Sequence, residues 1–257
     1  MNRNLEKVNV PTEIINLLSD LKKELVDSFK ANILSIYLHG SITTGDFRGE
    51  SSDIDYLVVI GKEFSSDEVE LLSKIHKKLI ARHEYWARKL EGSYLLESEL
   101  KNIEPPIRER LYFNDEYLRY EKYGSEWIFE QYSLSKFGVE LYELNKSRIF
   151  TQVPEENIKK ASINLLMNEW KPRVENSEYI WTNEYLAYGV LTVCRIIYSL
   201  ETGKMKSKTG SARYVLDKYD GKYIKAIEES LKWKIDDNFK AKDEAINFIA
   251  DMINNYK

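Results

Sequence analysis

Cysteine is almost absent from this chain: Cys194 is the only one in 257 residues. A single thiol excludes an internal disulfide framework and any zinc site built on cysteine. It lies in the apolar stretch Val190-Leu-Thr-Val-Cys-Arg-Ile-Ile197, where a thiol serves as buried packing. Long apolar runs are missing as well. Nothing approaches the roughly 18 consecutive apolar residues that span a bilayer. The opening Met1-Asn-Arg-Asn-Leu-Glu-Lys7 has no apolar core of the signal-peptide kind. The expected compartment is therefore the cytoplasm, with no membrane partner. Basic runs are also lacking, and 42 acidic against 38 basic residues leave a formal net charge of −4. Nucleic-acid binders display a basic face that neutralises phosphates, so no nucleic-acid partner is expected. A negative cleft would instead draw in a small cationic acceptor.

What is present begins with length and core. A chain of 257 residues with 43% hydrophobic side chains can build one or two full domains. The most informative stretch is Ile36-Tyr-Leu-His-Gly-Ser41, then Gly45, then Ser52-Asp53-Ile-Asp55-Tyr-Leu-Val-Val-Ile60. It reads as strand, Gly-Ser turn, short helical bend, two carboxylates one residue apart, and a second apolar strand. Asp53 and Asp55, two residues apart along a strand, share a face. Aimed at one point they repel unless a divalent cation sits between them, and hard oxygen ligands suit Mg²⁺ held with substrate phosphates. Gly40 lets the backbone approach closely, and the amides from Ser41 onward can donate to phosphate oxygens. The pattern points to nucleotidyl transfer. It resembles the signature of the DNA polymerase β-like nucleotidyltransferase superfamily.

The chain reads as α/β first and helical later. Ile14, Ile15, Leu18, Leu21, Leu25 and Phe29 recur at helical spacing over 12–30. Strands are expected at about 33–39, 54–60 and 90–96. Ser65 and Glu68 form a capping box that opens a helix to about residue 88. Pro105 and Pro106 demand a turn or extended segment. A further helix is expected over 126–144, ending near Asn145-Lys146. Beyond Pro154 only helical periodicity remains, over about 155–170, 183–200, 207–219, 221–233 and 239–256. The expected architecture is an α/β domain over 1–150, a mixed sheet flanked by helices, and an all-α helical bundle over 151–257.

Deprotonating an acceptor hydroxyl, or completing a metal shell, needs another acid near Asp53 and Asp55. Glu91, near the start of the third strand, is the candidate, with Ser93 and Leu95 on its face. Glu97 and Glu99 are alternatives, and a solvent-facing strand residue is the plainer reading of Glu91. His76 and His83, read on successive turns of a surface helix without carboxylate partners, are not taken as metal ligands. His39, just before the Gly-Ser turn, stands either near the nucleotide or as a strand-end residue.

Several segments carry a closer resemblance, to the aminoglycoside adenylyltransferases of the spectinomycin/streptomycin type. They are Tyr37-Leu-His-Gly-Ser41, Ser52-Asp-Ile-Asp-Tyr-Leu-Val58, Leu90-Glu91, Pro106-Ile-Arg-Glu109, Phe150 with Val153-Pro-Glu155, and Leu191-Thr-Val-Cys-Arg-Ile-Ile-Tyr-Ser199 followed by Thr202-Gly-Lys204. The resemblance implies an N-terminal nucleotidyltransferase domain coupled to a C-terminal helical domain. It implies transfer of AMP from ATP to an aminoglycoside hydroxyl, with Mg²⁺ (two ions expected) as cofactor and a monomeric enzyme. Asp53, Asp55 and Glu91 would be the catalytic acids and metal ligands, Glu91 also the candidate base, with Gly40, Ser41 and Lys208 on the nucleotide. The drug-contacting pattern departs from the family at Tyr112-Phe-Asn-Asp-Glu-Tyr117 and at Trp181-Thr-Asn-Glu184-Tyr185. Glu116 or Glu184 is expected to meet an acceptor ammonium, each with a solvated helix-end acid as its plainer reading. The alternatives are a lincosamide acceptor, a protein or RNA acceptor, or a catalytically silent binding protein on the same fold.

Overall fold

The computed structural model describes residue 8 and residues 10–49, 52–124, 126–144, 150–219, 222–234 and 236–256. The chain divides into two compact units, Met1–Gln152 and Val153–Lys257.

The first unit runs α1 (Thr12–Phe29), β1 (Ile33–Leu38), α2 (Ser41–Thr44), β2 (Ile54–Ile60), α3 (Ser66–Ala87), β3 (Leu90–Leu96), β4 (Arg110–Asn114), β5 (Tyr117–Glu121), α4 (Glu126–Phe137) and β6 (Val139–Glu143). Its strands form one mixed sheet in the order β5-β4-β3-β2-β1-β6. The β2–β3 pair is parallel and the other pairs are antiparallel. Period-two alternation divides the strand side chains between two faces. Ile36, Leu38, Tyr56, Val58, Tyr94 and Phe113 join one core with Leu18, Leu21 and Leu25 of α1 and Leu72, Ile75 and Leu79 of α3. Asp55, Ser93 and Tyr112, the chain neighbours of Tyr56, Tyr94 and Phe113, fall on the opposite face, as does Glu91 two residues before Ser93. At the start of α3 the capping box forms as expected: the Glu68 amide donates to Ser65 Oγ at 3.3 Å, and the Ser65 amide to Glu68 Oε2 at 2.7 Å.

The structure departs from the sequence reading at several points. The helix expected over 126–144 stops at Phe137, and the chain turns into β6. Gly138 makes the stop: its amide donates to Leu134 O at 3.1 Å, and a Cβ there would stand 2.5 Å from that oxygen. The expected end at 145–146 lies outside the described residues. The β4–β5 hairpin was not anticipated. Its turn residues Asp115 and Glu116 take φ values of 51° and 68° without a glycine to announce them. His76 is not a surface residue. It is 2% exposed, stacks on Phe113 at 3.8 Å and lies 2.7 Å from the Tyr94 hydroxyl. Nor does His83 lack a carboxylate partner, since its Nε2 lies 2.9 Å from Asp20.

Among its described residues the second unit has helices and the connections between them, with no strand. It comprises α5 (Glu155–Leu165), a π-helical turn over Leu166–Trp170, α6 (Lys171–Glu175), α7 (Asn183–Thr202), α8 (Lys208–Lys218), α9 (Ile224–Lys232) and α10 (Lys242–Asn255). Helix α7 is central. Leu186, Val190, Val193 and Ile197 pack with Trp170, Ala212, Val215, Ile227 and Phe248, and Cys194 is fully buried among them. No described helix in the chain is long and apolar enough to cross a membrane.

Candidate active site

The site builds up from the end of β1. The chain leaves that strand at His39, whose amide donates to Asp55 O at 3.1 Å, and bends at Gly40 into the single turn of α2. Gly40 has φ 67° and ψ −147°, a conformation essentially closed to residues with a side chain. A Cβ on Gly40 would stand 1.9 Å from Asp55 Oδ2. The Gly-Ser turn and the Asp55 carboxylate are therefore in direct apposition, which explains the glycine. Hydroxyls of Thr43 and Thr44 donate to Gly40 O and fasten the turn.

Asp55 and Glu91 are register partners across β2 and β3, side by side on the face opposite the helical core. Asp53 precedes β2, is exposed, and has Lys89 Nζ at 3.8 Å. Burial pushes the Glu91 carboxyl up to about 7, with the Asp55 charge adding to it and Asp53 and Asp115 contributing further. The Tyr112 hydroxyl donates to Glu91 Oε1 and opposes that rise.

Other polar groups on this face were not singled out from the sequence. Arg110 is buried, donates from Nε to Ser93 Oγ at 2.9 Å, and lies 3.6 Å over the Tyr123 ring. From α4, Ser133 Oγ lies 3.4 Å from the Gly40 amide and Glu130 lies 3.7 Å from His39. Burial pushes the His39 imidazole down and the Glu130 carboxyl up, so they meet as a weakened ion pair. The fitting signal was strand alternation. Once Glu91 is placed on a face, Ser93 follows, and a partner strand must supply residues opposite both.

Of the remaining expected residues, Glu116 sits in the β4–β5 turn and is ion-paired with Arg88. Glu184 is exposed in the first turn of α7. Lys208 opens α8, with its Nζ 4.9 Å from the Tyr188 ring centroid. Glu116 thus already has a cation beside it.

The donor set fits a hard divalent cation. Asp55 and Glu91 sit side by side on adjacent strands, with Asp53 at the head of β2, so hard carboxylate oxygens gather at one end of the strand pair. Among the described residues no three His, Cys, Asp or Glu side chains gather as a ready metal site. Asp53 and Asp55 could hold such a cation together with phosphate oxygens and water, as Mg²⁺ is usually held.

Comparison with known proteins agrees with this geometry. A family model described as "Nucleotidyltransferase domain" matches residues 18–123, and one described as "Aminoglycoside adenylyltransferase, C-terminal domain" matches residues 148–255. The spectinomycin 9-adenylyltransferase of Enterococcus faecalis is 21% identical over 251 residues, covering 93% of this chain and 94% of that protein. A crystal structure of the Enterococcus spectinomycin adenyltransferase AAD(9), with ATP and spectinomycin, shares the fold. Its TM-score is 0.73 at 18% identity, covering 94% of this chain and 98% of the other. With a nucleotidyltransferase domain matched over 18–123 and an aminoglycoside adenylyltransferase C-terminal domain over 148–255, the chain is an aminoglycoside nucleotidyltransferase enzyme.

Proposed function

We propose that this enzyme transfers AMP from ATP to a hydroxyl of spectinomycin or a close aminocyclitol relative. The observation that carries the reading is the Asp55–Glu91 register across the parallel strands, with Gly40 closed against Asp55. The substrate class is taken from the two spectinomycin-modifying proteins that the chain resembles over nearly its whole length.

In this reading Glu91 accepts the proton of the acceptor hydroxyl. The freed oxygen attacks the α-phosphorus, and pyrophosphate leaves with the bonding electrons of the broken P–O bond. Burial suits Glu91 to the task, since a carboxyl with its pKa near neutrality is a stronger base than an ordinary one. The Ser41 amide would donate to a phosphate oxygen, while the Gly40 amide donates to Ser133 Oγ and so holds the turn. Asp53 and Asp55 would hold Mg²⁺, which when bound neutralises triphosphate charge and polarises the reacting phosphoryl group. Lys208 is assigned to the phosphates, and Glu184 to an acceptor ammonium, on the family resemblance alone. The enzyme is read as cytoplasmic and monomeric.

The test is turnover with Mg-ATP and a panel of spectinomycin, streptomycin and a lincosamide, following pyrophosphate release and the mass of the drug. Adenylylated spectinomycin is the expected product. Turnover confined to the lincosamide would reassign the acceptor. Absence of pyrophosphate with every acceptor would overturn the reading.

A further inference from the structure

Glu91 is held from one side by a residue that the proposed reaction has not used. Tyr112 lies on β4 directly opposite Ser93 of β3. Ser93 and Glu91 are two residues apart and share a face, so the phenol reaches diagonally across the strand pair to donate to Glu91 Oε1. The ring has little freedom. Arg110 Cζ lies 4.7 Å and Arg119 Cζ 5.4 Å from its centroid. Arg110 is itself fixed by Ser93 Oγ and by the Tyr123 ring. Arg119, on β5, is the register partner of Tyr112 and donates from Nη1 to Asn114 O at 3.3 Å. Each guanidinium that confines the ring is thus fastened to the hairpin or the strand beside it.

A carboxylate offers two equivalent oxygens and turns about its last bond, so an unrestrained Glu91 would present either one. A donor fixed on one oxygen sets the plane of the group and commits the other. We propose that Tyr112 is a positioning residue for nucleotidyl transfer, its hydroxyl engaging Glu91 Oε1 so that Oε2 is the oxygen presented to the acceptor hydroxyl. The inference rests on the reading of Glu91 as the base. It gives the phenol oxygen a role that the two guanidinium contacts, which need only the ring, do not.

The test is Tyr112→Phe, which removes one oxygen atom and keeps the ring between its guanidiniums. With Mg-ATP and spectinomycin, kcat is expected to fall about tenfold to a hundredfold, as for other groups that orient a reacting side chain, while KM for ATP stays unchanged. In a Glu91→Gln background the same substitution should add nothing, because the base it positions is gone. An unchanged kcat, or a loss that multiplies with that of Glu91→Gln, would overturn the assignment. If the wild-type chain releases no pyrophosphate, the functional reading fails instead. Urea unfolding of wild type, Tyr112→Phe, Glu91→Ala and the double variant then decides the contact. Non-additive stabilities support Tyr112 as the partner that holds Glu91, and additive ones overturn it.

Discussion

Asp55 and Glu91 face one another because the parallel pairing of β2 with β3 makes them register partners. Strands about 4.8 Å apart bring such side chains together on one face. Backbone hydrogen bonds, rather than a loop, therefore set the separation of the two carboxylates. The consequence is electrostatic: burial raises the Glu91 carboxyl to about 7, and the Asp55 charge adds to the rise. Between its ordinary 4.5 and about 7 the folded chain keeps a proton that the unfolded chain has released, so this site loses stability as pH climbs through that window. In cation-free protein, a carbon-13 NMR titration of Glu91 is expected to centre near 7. Asp55→Asn should move the midpoint down. A midpoint unmoved by Asp55→Asn would break the link between the two residues.

Loss of either aspartate should abolish Mg²⁺-dependent turnover without unfolding the domain, since Asp53 is exposed and Asp55 only half-buried. A carboxylate that helps neutralise a metal–triphosphate centre is typically worth several kcal/mol in the transition state. Glu91→Gln should instead lower kcat by roughly 10²–10⁴ with ATP binding retained, as removal of a general base does. Calorimetry of Mg-ATP binding beside turnover separates the two roles. Near-native rates in Asp53→Ala or Asp55→Ala would refute the metal assignment, and lost ATP affinity in Glu91→Gln would make Glu91 a ligand rather than a base.

Gly40→Ala tests the apposition of the turn with Asp55. The added methyl has no room beside Asp55 Oδ2, and φ 67° with ψ −147° strains any side chain by about 1–3 kcal/mol. Gly45 offers the contrast. Its φ is 74°, yet nothing lies within 4 Å of a Cβ placed there. Both alanine variants should lose stability in urea unfolding, but only Gly40→Ala should also lose Mg-ATP affinity. Equal affinities in the two variants would show that Asp55 does not depend on the glycine.

His76 predicts an acid limit to stability. Burial pushes its imidazole from 6.5 down to about 3. Between those values the unfolded chain takes up a proton that the folded chain refuses, so stability is complete above about 6.5 and falls as pH drops towards 3. The slope is at most about 1.4 kcal/mol per pH unit. His76→Gln should be less stable than wild type at pH 7.5, since it gives up the Phe113 stack, yet its stability should change less between pH 6.5 and 4.5. Urea midpoints across that range check it, and parallel curves would count against His76 as the titrating group.

The strands that carry the acids were legible because their signals are local. Two apolar runs flank Gly40-Ser41, and the Asp53–Asp55 spacing sits at the head of the second. Ser65 and Glu68 announced α3 in the same way. The β4–β5 hairpin was illegible because its strands are only five residues long, Arg119 interrupts the second, and the turn uses Asp115 and Glu116 at positive φ without a glycine. β6 was read as helix because Val139-Glu-Leu-Tyr-Glu143 is short, and Gly138 was the available break signal. His76 was misjudged because its burial depends on Phe113, a residue of the unanticipated hairpin. Tyr112 and Arg110 escaped for the same reason: their place beside Glu91 is a matter of strand pairing, which no local pattern encodes.

One feature of the sheet constrains how this chain can vary in length. Asp55 adjoins Tyr56, Glu91 adjoins Gly92, and Tyr112 adjoins Phe113, so in each strand a polar site residue sits next to one that packs against the helices. The ring of Tyr56 fills the space where a Cβ on Gly92 would stand, within 2.1 Å of its Cζ. A one-residue deletion or insertion inside any of these strands would exchange the two sets, burying carboxylates against α1 and α3 and turning aromatic rings outward. Indels should therefore be excluded from β2, β3 and β4 as a block and accepted only near residues 104–107 of the β3–β4 connection, since Leu100 is buried and Gln131 and Trp127 hold the carbonyls of Leu100, Asn102 and Ile103.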